Sequence, residues 1–149
     1  MLAKIHAAWW EKVQVEELEW IPSMVGPRIE YVDQVLPEIY PAYAATFEPS
    51  LPEGGAELLQ LFSKSYLKLN TALAERAPWT LAHQDYRVEN MLFGNANNDE
   101  VTVIDWQGIG RGPGAYDLAY LLGGSMETEM RRSNERDLVT AYHLSLIHI

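Results

Sequence analysis

The sequence predicts an α+β fold that is mostly α-helical and contains one small β-hairpin. Helical spacing of apolar residues dominates positions 2–76, β-branched and turn-forming residues dominate 80–105, and helical spacing returns after residue 114. The chain has 149 residues, of which 48% are hydrophobic, so it is about one domain in size and can bury a core. We therefore expect a single domain over residues 1–149.

The first half of the chain is predicted to be helical. Residues 2–13 carry apolar side chains at helical spacing, and a loop rich in proline and glycine follows. Residues 29–47 continue the helical pattern, but Pro37 and Pro41 interrupt it and predict a kinked or split helix. Residues 56–76 form the clearest predicted helix, with one apolar face.

The spacing of apolar residues changes from helical to strand-like near residue 80. The segments NMLFG (90–94) and VTVID (101–105) are typical of short strands, and NANNDE (95–100) between them is a turn cluster. Together they predict an antiparallel hairpin.

The segments after the hairpin are predicted to be a loop and two helices. GIGRGPG (108–114) suggests nucleotide binding, but Pro113 breaks the glycine motif and no lysine follows, so a flexible loop is preferred. AYDLAYLLGG (115–124) indicates a buried helix, and residues 126–147 indicate a final one.

Composition excludes several classes of partner. The net charge of −10 is spread evenly along the chain, so we expect no nucleic-acid partner and no binding to an anionic membrane. No apolar run approaches the roughly 20 residues of a membrane span, and the N-terminus does not resemble a signal peptide. There is no cysteine, which suits a reducing compartment. The sequence therefore favours a cytoplasmic protein.

Polar residues are concentrated at the root of the predicted hairpin. Asp85 and Asn90 precede its first strand, and Asp105 ends its second. Antiparallel pairing brings the start of one strand beside the end of the other, so Asn90 and Asp105 should lie close together, with Asp85 and His83 within reach. Carboxylate and amide oxygens suit Mg²⁺, which completes its coordination with water and phosphate oxygens.

These residues resemble a known catalytic pattern. HQDYRVEN is similar to the catalytic-loop motif H-x-D-x-x-x-x-N of the kinase-like fold, and VIDWQ lies where protein kinases place D-F-G. The chain more closely resembles the aminoglycoside phosphotransferase and choline kinase-like branch. Within that branch, LAKIHAAWW, LEWIP and DWQGIGRGPGAYDLAYLL look like the bacterial phosphotransferases related to ecdysteroid kinases.

The resemblance implies an ATP- and Mg²⁺-dependent phosphotransferase acting on a small-molecule hydroxyl. It implies Asp85 as the catalytic base, which accepts the proton of the attacking hydroxyl. It implies Asn90 and Asp105 as the ligands of a Mg²⁺ ion bridging the ATP phosphates.

Four further positions follow from the same resemblance. Arg87 would steady the transferred phosphoryl group, with a surface or salt-bridge role as the alternative. His83 belongs to the catalytic set, more as a support for the loop than as a reactant. Asp117 would brace the loop, and Gln84 replaces the glycine that this branch usually has.

The resemblance also implies which part of the kinase-like fold the chain covers. No glycine-rich loop and no strand lysine precede the catalytic loop, and the tail LSLIHI is unlike the family. We therefore expect the C-terminal lobe of a kinase-like fold, with the ATP-cradling N-terminal lobe outside the chain. Two alternatives stay open, a non-catalytic pseudokinase-like scaffold and, ranked last, a metal-dependent hydrolase.

Overall fold

The computed structural model describes residues 1–95 and 98–148 of the chain. The helices in these ranges are α1 (Leu2–Trp9), α2 (Pro27–Phe47), α3 (Gly55–Ser63), α4 (Tyr66–Arg76), α5 (Ala115–Gly124) and α6 (Thr128–Ile147). The strands are β1 (Trp79–Ala82), β2 (Met91–Asn95), β3 (Asn98–Val103) and β4 (Gly110–Pro113). The predicted α+β, mostly helical class is confirmed. Contacts divide the chain into two compact units, residues 24–77 and the residues before and after them.

The predicted hairpin is present and pairs β2 with β3 in antiparallel fashion. Met91 faces Val103 and Phe93 faces Val101, and the register shifts between Phe93 and Asn95. The turn predicted from NANNDE includes residues 96 and 97, which lie outside the described residues. The register places the residues just before β2 beside those just after β3, as the site prediction requires.

The segment GIGRGPG is not the flexible loop that we predicted from its glycines. Residues 110–113 form β4, which pairs antiparallel with β1 from Trp79↔Pro113 to Ala82↔Gly110. This pairing joins segments about thirty residues apart, and Pro113 is tolerated because β4 is an edge strand of a two-stranded sheet. The pairing of β1 with β4 therefore brings together the two ends of the segment that contains the loop of residues 83–90 and the hairpin.

Arg111 anchors the segment that follows α1 to this second sheet. Its side chain donates to the carbonyl of Ile21 over 2.9 Å and to that of Val13 over 3.2 Å. Val13, Ile21 and Leu81 form a buried apolar cluster below these contacts. The predicted helix over residues 2–13 ends instead at Trp9, because the chain must turn to bring Val13 into this cluster.

The unit of residues 24–77 is helical, with two differences from prediction. The prolines at 37 and 41 do not split α2, which runs unbroken from Pro27 to Phe47. The helix predicted over 56–76 is two helices, with a break at Lys64 and Ser65. Asp33 of α2 explains the break, since its carboxylate accepts from the amide of Leu67 over 2.8 Å and so caps the first turn of α4.

No helix within residues 1–95 or 98–148 has the length and apolar character that a membrane crossing requires.

Candidate active site

The loop between β1 and β2 is held by a fully buried carboxylate on α5. Asp117 accepts from the amide of His83 over 2.6 Å and from the amide of Gln84 over 2.8 Å. Gln84 adopts a left-handed conformation, with φ of 66°, which explains why a glycine suits this position. The bracing contact expected of Asp117 is therefore present, and it fixes the main chain just before Asp85.

His83 links the loop to the end of the hairpin. Its ring is buried, its Nε2 lies 2.9 Å from the carbonyl of Ile104, and its Nδ1 lies 3.3 Å from the amide of Asp85. A carbonyl only accepts and an amide only donates, so Nε2 donates to Ile104 and Nδ1 accepts from Asp85. Both ring nitrogens therefore contact the backbone, one at Ile104 and the other at Asp85.

The Asp85 carboxylate is about one-third exposed and surrounded by donors. Asn90 Nδ2 donates to its Oδ2 over 2.8 Å and to its main-chain carbonyl over 2.9 Å. Arg87 Nε lies 3.5 Å from its Oδ1. Burial alone would raise the pKa of Asp85, but the hydrogen bonds from Tyr120 and Asn90 and the charge of Arg87 together lower it. The carboxylate is therefore ionised and oriented.

A main-chain hydrogen bond of the hairpin brings Asn90 beside the residue that precedes Asp105. Asn90 is buried, and its carbonyl accepts from the amide of Ile104 over 2.9 Å, one residue before Asp105. Asp105 has a left-handed conformation, with φ of 62° and ψ of 58°, and begins the 3₁₀ turn Trp106–Gly108. Aspartate tolerates this region better than most residues, and the turn leaves its carboxylate exposed to solvent.

The donor set at this end of the hairpin fits a magnesium ion rather than a metal enclosed by protein ligands. The described residues contain no group of three or more histidine, cysteine, aspartate or glutamate side chains that could hold a metal. Because Asn90 turns its amide nitrogen to Asp85, its oxygen is the atom that can bind a cation, together with the Asp105 carboxylate. One carboxylate and one amide oxygen match an ion that keeps most of its coordination for water and phosphate.

A cavity of about 330 Å³ opens beside the Asp85 loop. Its walls come from the catalytic loop and from α5, and its lining residues are Arg87, Glu89, Ala119, Tyr120, Gly123 and Gly124. Glu89 and Arg87 are exposed there, so the cavity carries one charge of each sign next to Asp85. The cavity therefore lies beside Arg87, whose Nε is 3.5 Å from the Asp85 carboxylate.

Sequence reasoning missed three residues of the site. Tyr120 lies three positions after Asp117 on α5 and was seen only as part of an apolar helix. His6 of α1 is fully buried and lies 3.1 Å from Asp117. The hydroxyl of Tyr142 on α6 lies 2.7 Å from the other ring nitrogen of His6, so Asp117, His6 and Tyr142 form a continuous series of side-chain contacts. Polar residues in these helices were the available signal, but their partners are over 30 residues away.

A scan against protein-family models matches residues 2–149 to the ecdysteroid kinase-like family. The chain belongs to this family. The match covers nearly the whole sequence and includes the loop, the hairpin and α5. Membership of the ecdysteroid kinase-like family indicates kinase-like phosphotransferase activity in general terms. No curated protein and no solved structure matches the chain.

Proposed function

We propose that the chain is the C-terminal lobe of an ATP- and Mg²⁺-dependent phosphotransferase that phosphorylates a hydroxyl of a small molecule. The observation that carries the proposal is the contact between Asp85 and Asn90, made where the main chain of Asn90 joins the residue before Asp105. Asn90 thereby orients the Asp85 carboxylate, and Asp105 follows one residue after the main-chain contact, in an order that resembles the kinase-like catalytic loop. Family membership supports the same general activity.

Asp85 is the catalytic base in this proposal. It accepts the proton of the acceptor hydroxyl while the acceptor oxygen bonds to the γ-phosphorus and the bond between that phosphorus and the bridging oxygen of ADP breaks. An ionised carboxylate is required for this step, and the donors around Asp85 keep it ionised. Arg87, which lies 3.5 Å from Asp85, is placed to stabilise charge on the transferred group.

Asn90 and Asp105 would hold the metal. A bound Mg²⁺ supplies neutralisation of the phosphate charge and alignment of the γ-phosphate. The main-chain hydrogen bond between Asn90 and Ile104 holds Asn90 at the end of the hairpin where Asp105, in its left-handed conformation, also lies. His83 supports both ends of the arrangement through Ile104 and Asp85.

The acceptor class belongs to the proposal as well. An aminoglycoside, choline, a sugar or a sterol-like alcohol each offers the required hydroxyl, and the family description favours testing an ecdysteroid first. We propose a cytoplasmic protein whose partners are ATP and this acceptor, with the ATP-cradling elements supplied by a second lobe. The alternative is a pseudokinase-like scaffold that binds without transferring phosphate.

The test is phosphoryl transfer from MgATP by the protein as its gene encodes it, with ecdysone, choline, glucose and kanamycin as acceptor probes. We expect Asp85→Ala to abolish transfer to the productive acceptor. Its thermal stability should change little, because Asn90 keeps its bond to the main-chain carbonyl of residue 85. Asp137→Ala, an exposed change on α6, is the matched control. Equal activity in Asp85→Ala would remove Asp85 as the base, and a wild-type protein inactive with every probe would favour the scaffold.

A further inference from the structure

A second cavity, of about 290 Å³, is lined by residues of α1, α5, α6 and the catalytic loop. None of the described side chains that line it carries a charge. Most of its wall is apolar and comes from the three helices, through Leu2, Leu118, Leu121, Leu122, Leu138 and Ala141. Such a wall favours a ligand whose body is apolar and uncharged.

Tyr86 is a buried polar residue of this wall that lacks a partner for its hydroxyl. It directly follows Asp85 in the chain and is 3% exposed. Within residues 1–95 and 98–148 its hydroxyl makes no hydrogen bond. The other polar side chains of the wall differ from it, since the hydroxyl of Tyr142 lies 2.7 Å from His6 Nδ1 and Ser145 is exposed to solvent. A buried hydroxyl without a partner is costly unless a ligand or water meets it.

The Tyr86 hydroxyl is accessible and keeps its proton. In the described part of the chain, the fully enclosed side-chain polar atom without a hydrogen bond is Nε of Arg131, so the oxygen of Tyr86 retains some accessible surface. Because the side chain of Tyr86 lines the cavity, a molecule bound there can meet this oxygen. Burial, with the charge of Asp117 as a second cause, raises the pKa of Tyr86 to about 12. At neutral pH the hydroxyl can therefore both donate and accept a hydrogen bond.

We propose that this cavity binds a neutral, largely apolar molecule the size of about two fused rings, and that Tyr86 forms a hydrogen bond with a hydroxyl of that molecule. The size follows from the volume, because an apolar cavity of about 150 Å³ binds one benzene ring. Neutrality follows from the uncharged wall and from the charge of Asp117, which acts on Tyr86 and disfavours an anion. Binding in this cavity does not depend on phosphoryl transfer, so the inference goes beyond the proposed function.

The first test is a comparison of three probes on the protein as its gene encodes it. The probes are 2-naphthol, naphthalene, which lacks the hydroxyl, and 2-naphthoate, which carries a negative charge. Dissociation constants are measured from naphthyl fluorescence at neutral pH. We expect Tyr86→Phe to weaken the binding of 2-naphthol by about five- to ten-fold, as for one neutral hydrogen bond, and to change that of naphthalene by less than about two-fold. In the wild type, 2-naphthoate should bind at least about ten-fold more weakly than 2-naphthol.

A second pair of variants locates the binding site. Ala141→Phe places a large side chain on the wall of the cavity at an exposed position of α6, so it should weaken both 2-naphthol and naphthalene by about ten-fold or more. Tyr31→Phe, at an exposed position of α2 outside the wall, is the control and should bind both probes as the wild type does.

Three outcomes would overturn the inference, whether or not the protein is an active phosphotransferase. The first is a wild-type protein that shows no saturable binding of 2-naphthol, as expected if another segment of the protein or a second copy fills the cavity. The second is a Tyr86→Phe variant in which 2-naphthol and naphthalene change equally. The third is undiminished binding of both probes to Ala141→Phe, which would place them elsewhere on the protein.

Discussion

The carboxylate of Asp117 lies 2.6 Å from the amide of His83, although 34 residues separate them in sequence. The same side chain also contacts the amide of Gln84 and the imidazole of His6, and all of it is buried. One carboxylate therefore joins α1, α5 and the catalytic loop. The junction holds the main chain of that loop just before Asp85.

We predict that Asp117→Ala lowers the free energy of unfolding by about 3–5 kcal/mol. The substitution leaves two buried amides and the His6 ring without their acceptor, and unsatisfied buried donors are costly. Urea unfolding followed by circular dichroism measures the change. Asp137→Ala on the exposed face of α6 is the control and should cost less than about 0.5 kcal/mol. Similar unfolding midpoints for the two variants would show that the junction does not stabilise the fold.

We predict that Gly114→Ala, at the N-cap of α5, destabilises the protein. A Cβ at this position would lie 2.7 Å from His6 Nδ1 and 2.9 Å from the Tyr142 hydroxyl, so it would separate these two groups. The expected cost is about 1–3 kcal/mol, as for other overpacked sites.

Gly123→Ala is the matched control, because a Cβ there would meet no atom within 4 Å. Gly123 lies in α5, so this change should be neutral or stabilise the protein by up to about 1 kcal/mol. Thermal unfolding of both variants decides the point. A Gly114→Ala protein as stable as Gly123→Ala would mean that the contact between His6 and Tyr142 adapts without cost.

The hairpin and α5 are the parts of the site that the sequence predicts well. The β2 and β3 strands are neighbours in sequence, and their β-branched residues and turn cluster are local signals. The approach of Asn90 to Asp105 follows from that pairing alone. Family resemblance adds the bracing role of Asp117, which the contacts to His83 and Gln84 match.

The parts that the sequence did not predict depend on distant partners. β4 forms from a segment rich in glycine because β1 supplies its hydrogen bonds, and no local pattern indicates that pairing. The break between α3 and α4 occurs where Asp33 of another helix supplies a cap. In the sequence Tyr120 is likewise an ordinary residue of an apolar helix, and only the fold places it with Arg87 in the wall of the cavity.

We predict that Asp105→Asn raises the Mg²⁺ concentration needed for half-maximal phosphoryl transfer by about ten-fold or more. Asparagine also tolerates the left-handed conformation of residue 105, so the turn is kept while the negative charge is lost. Activity against Mg²⁺ concentration at fixed ATP gives the shift, with Asp137→Asn as the control for a lost surface charge. An unchanged Mg²⁺ dependence would remove Asp105 from the proposed metal site.

We predict that stability falls as the pH rises from about 10 to about 12, with two tyrosines as a main cause. Burial, with the charge of Asp117 as a second cause, raises the pKa of Tyr86 and of Tyr142 to about 12. Their pKa in the unfolded chain is about 10, so the folded state retains protons that the unfolded state loses. The stabilisation is complete below pH 10 and is lost as the pH rises through the folded pKa. Ionised Tyr142 would also be unable to donate to His6.

Urea unfolding at about pH 9 and about pH 11 measures this loss. Tyr86→Phe removes one of the two groups and keeps the ring that packs near His83, so stability should fall less between these two pH values than in the wild type. Tyr31→Phe, at an exposed position of α2, is the control and should lose as much stability as the wild type. Equal losses in Tyr86→Phe and the wild type would mean that Tyr86 ionises at its ordinary pKa in the folded protein.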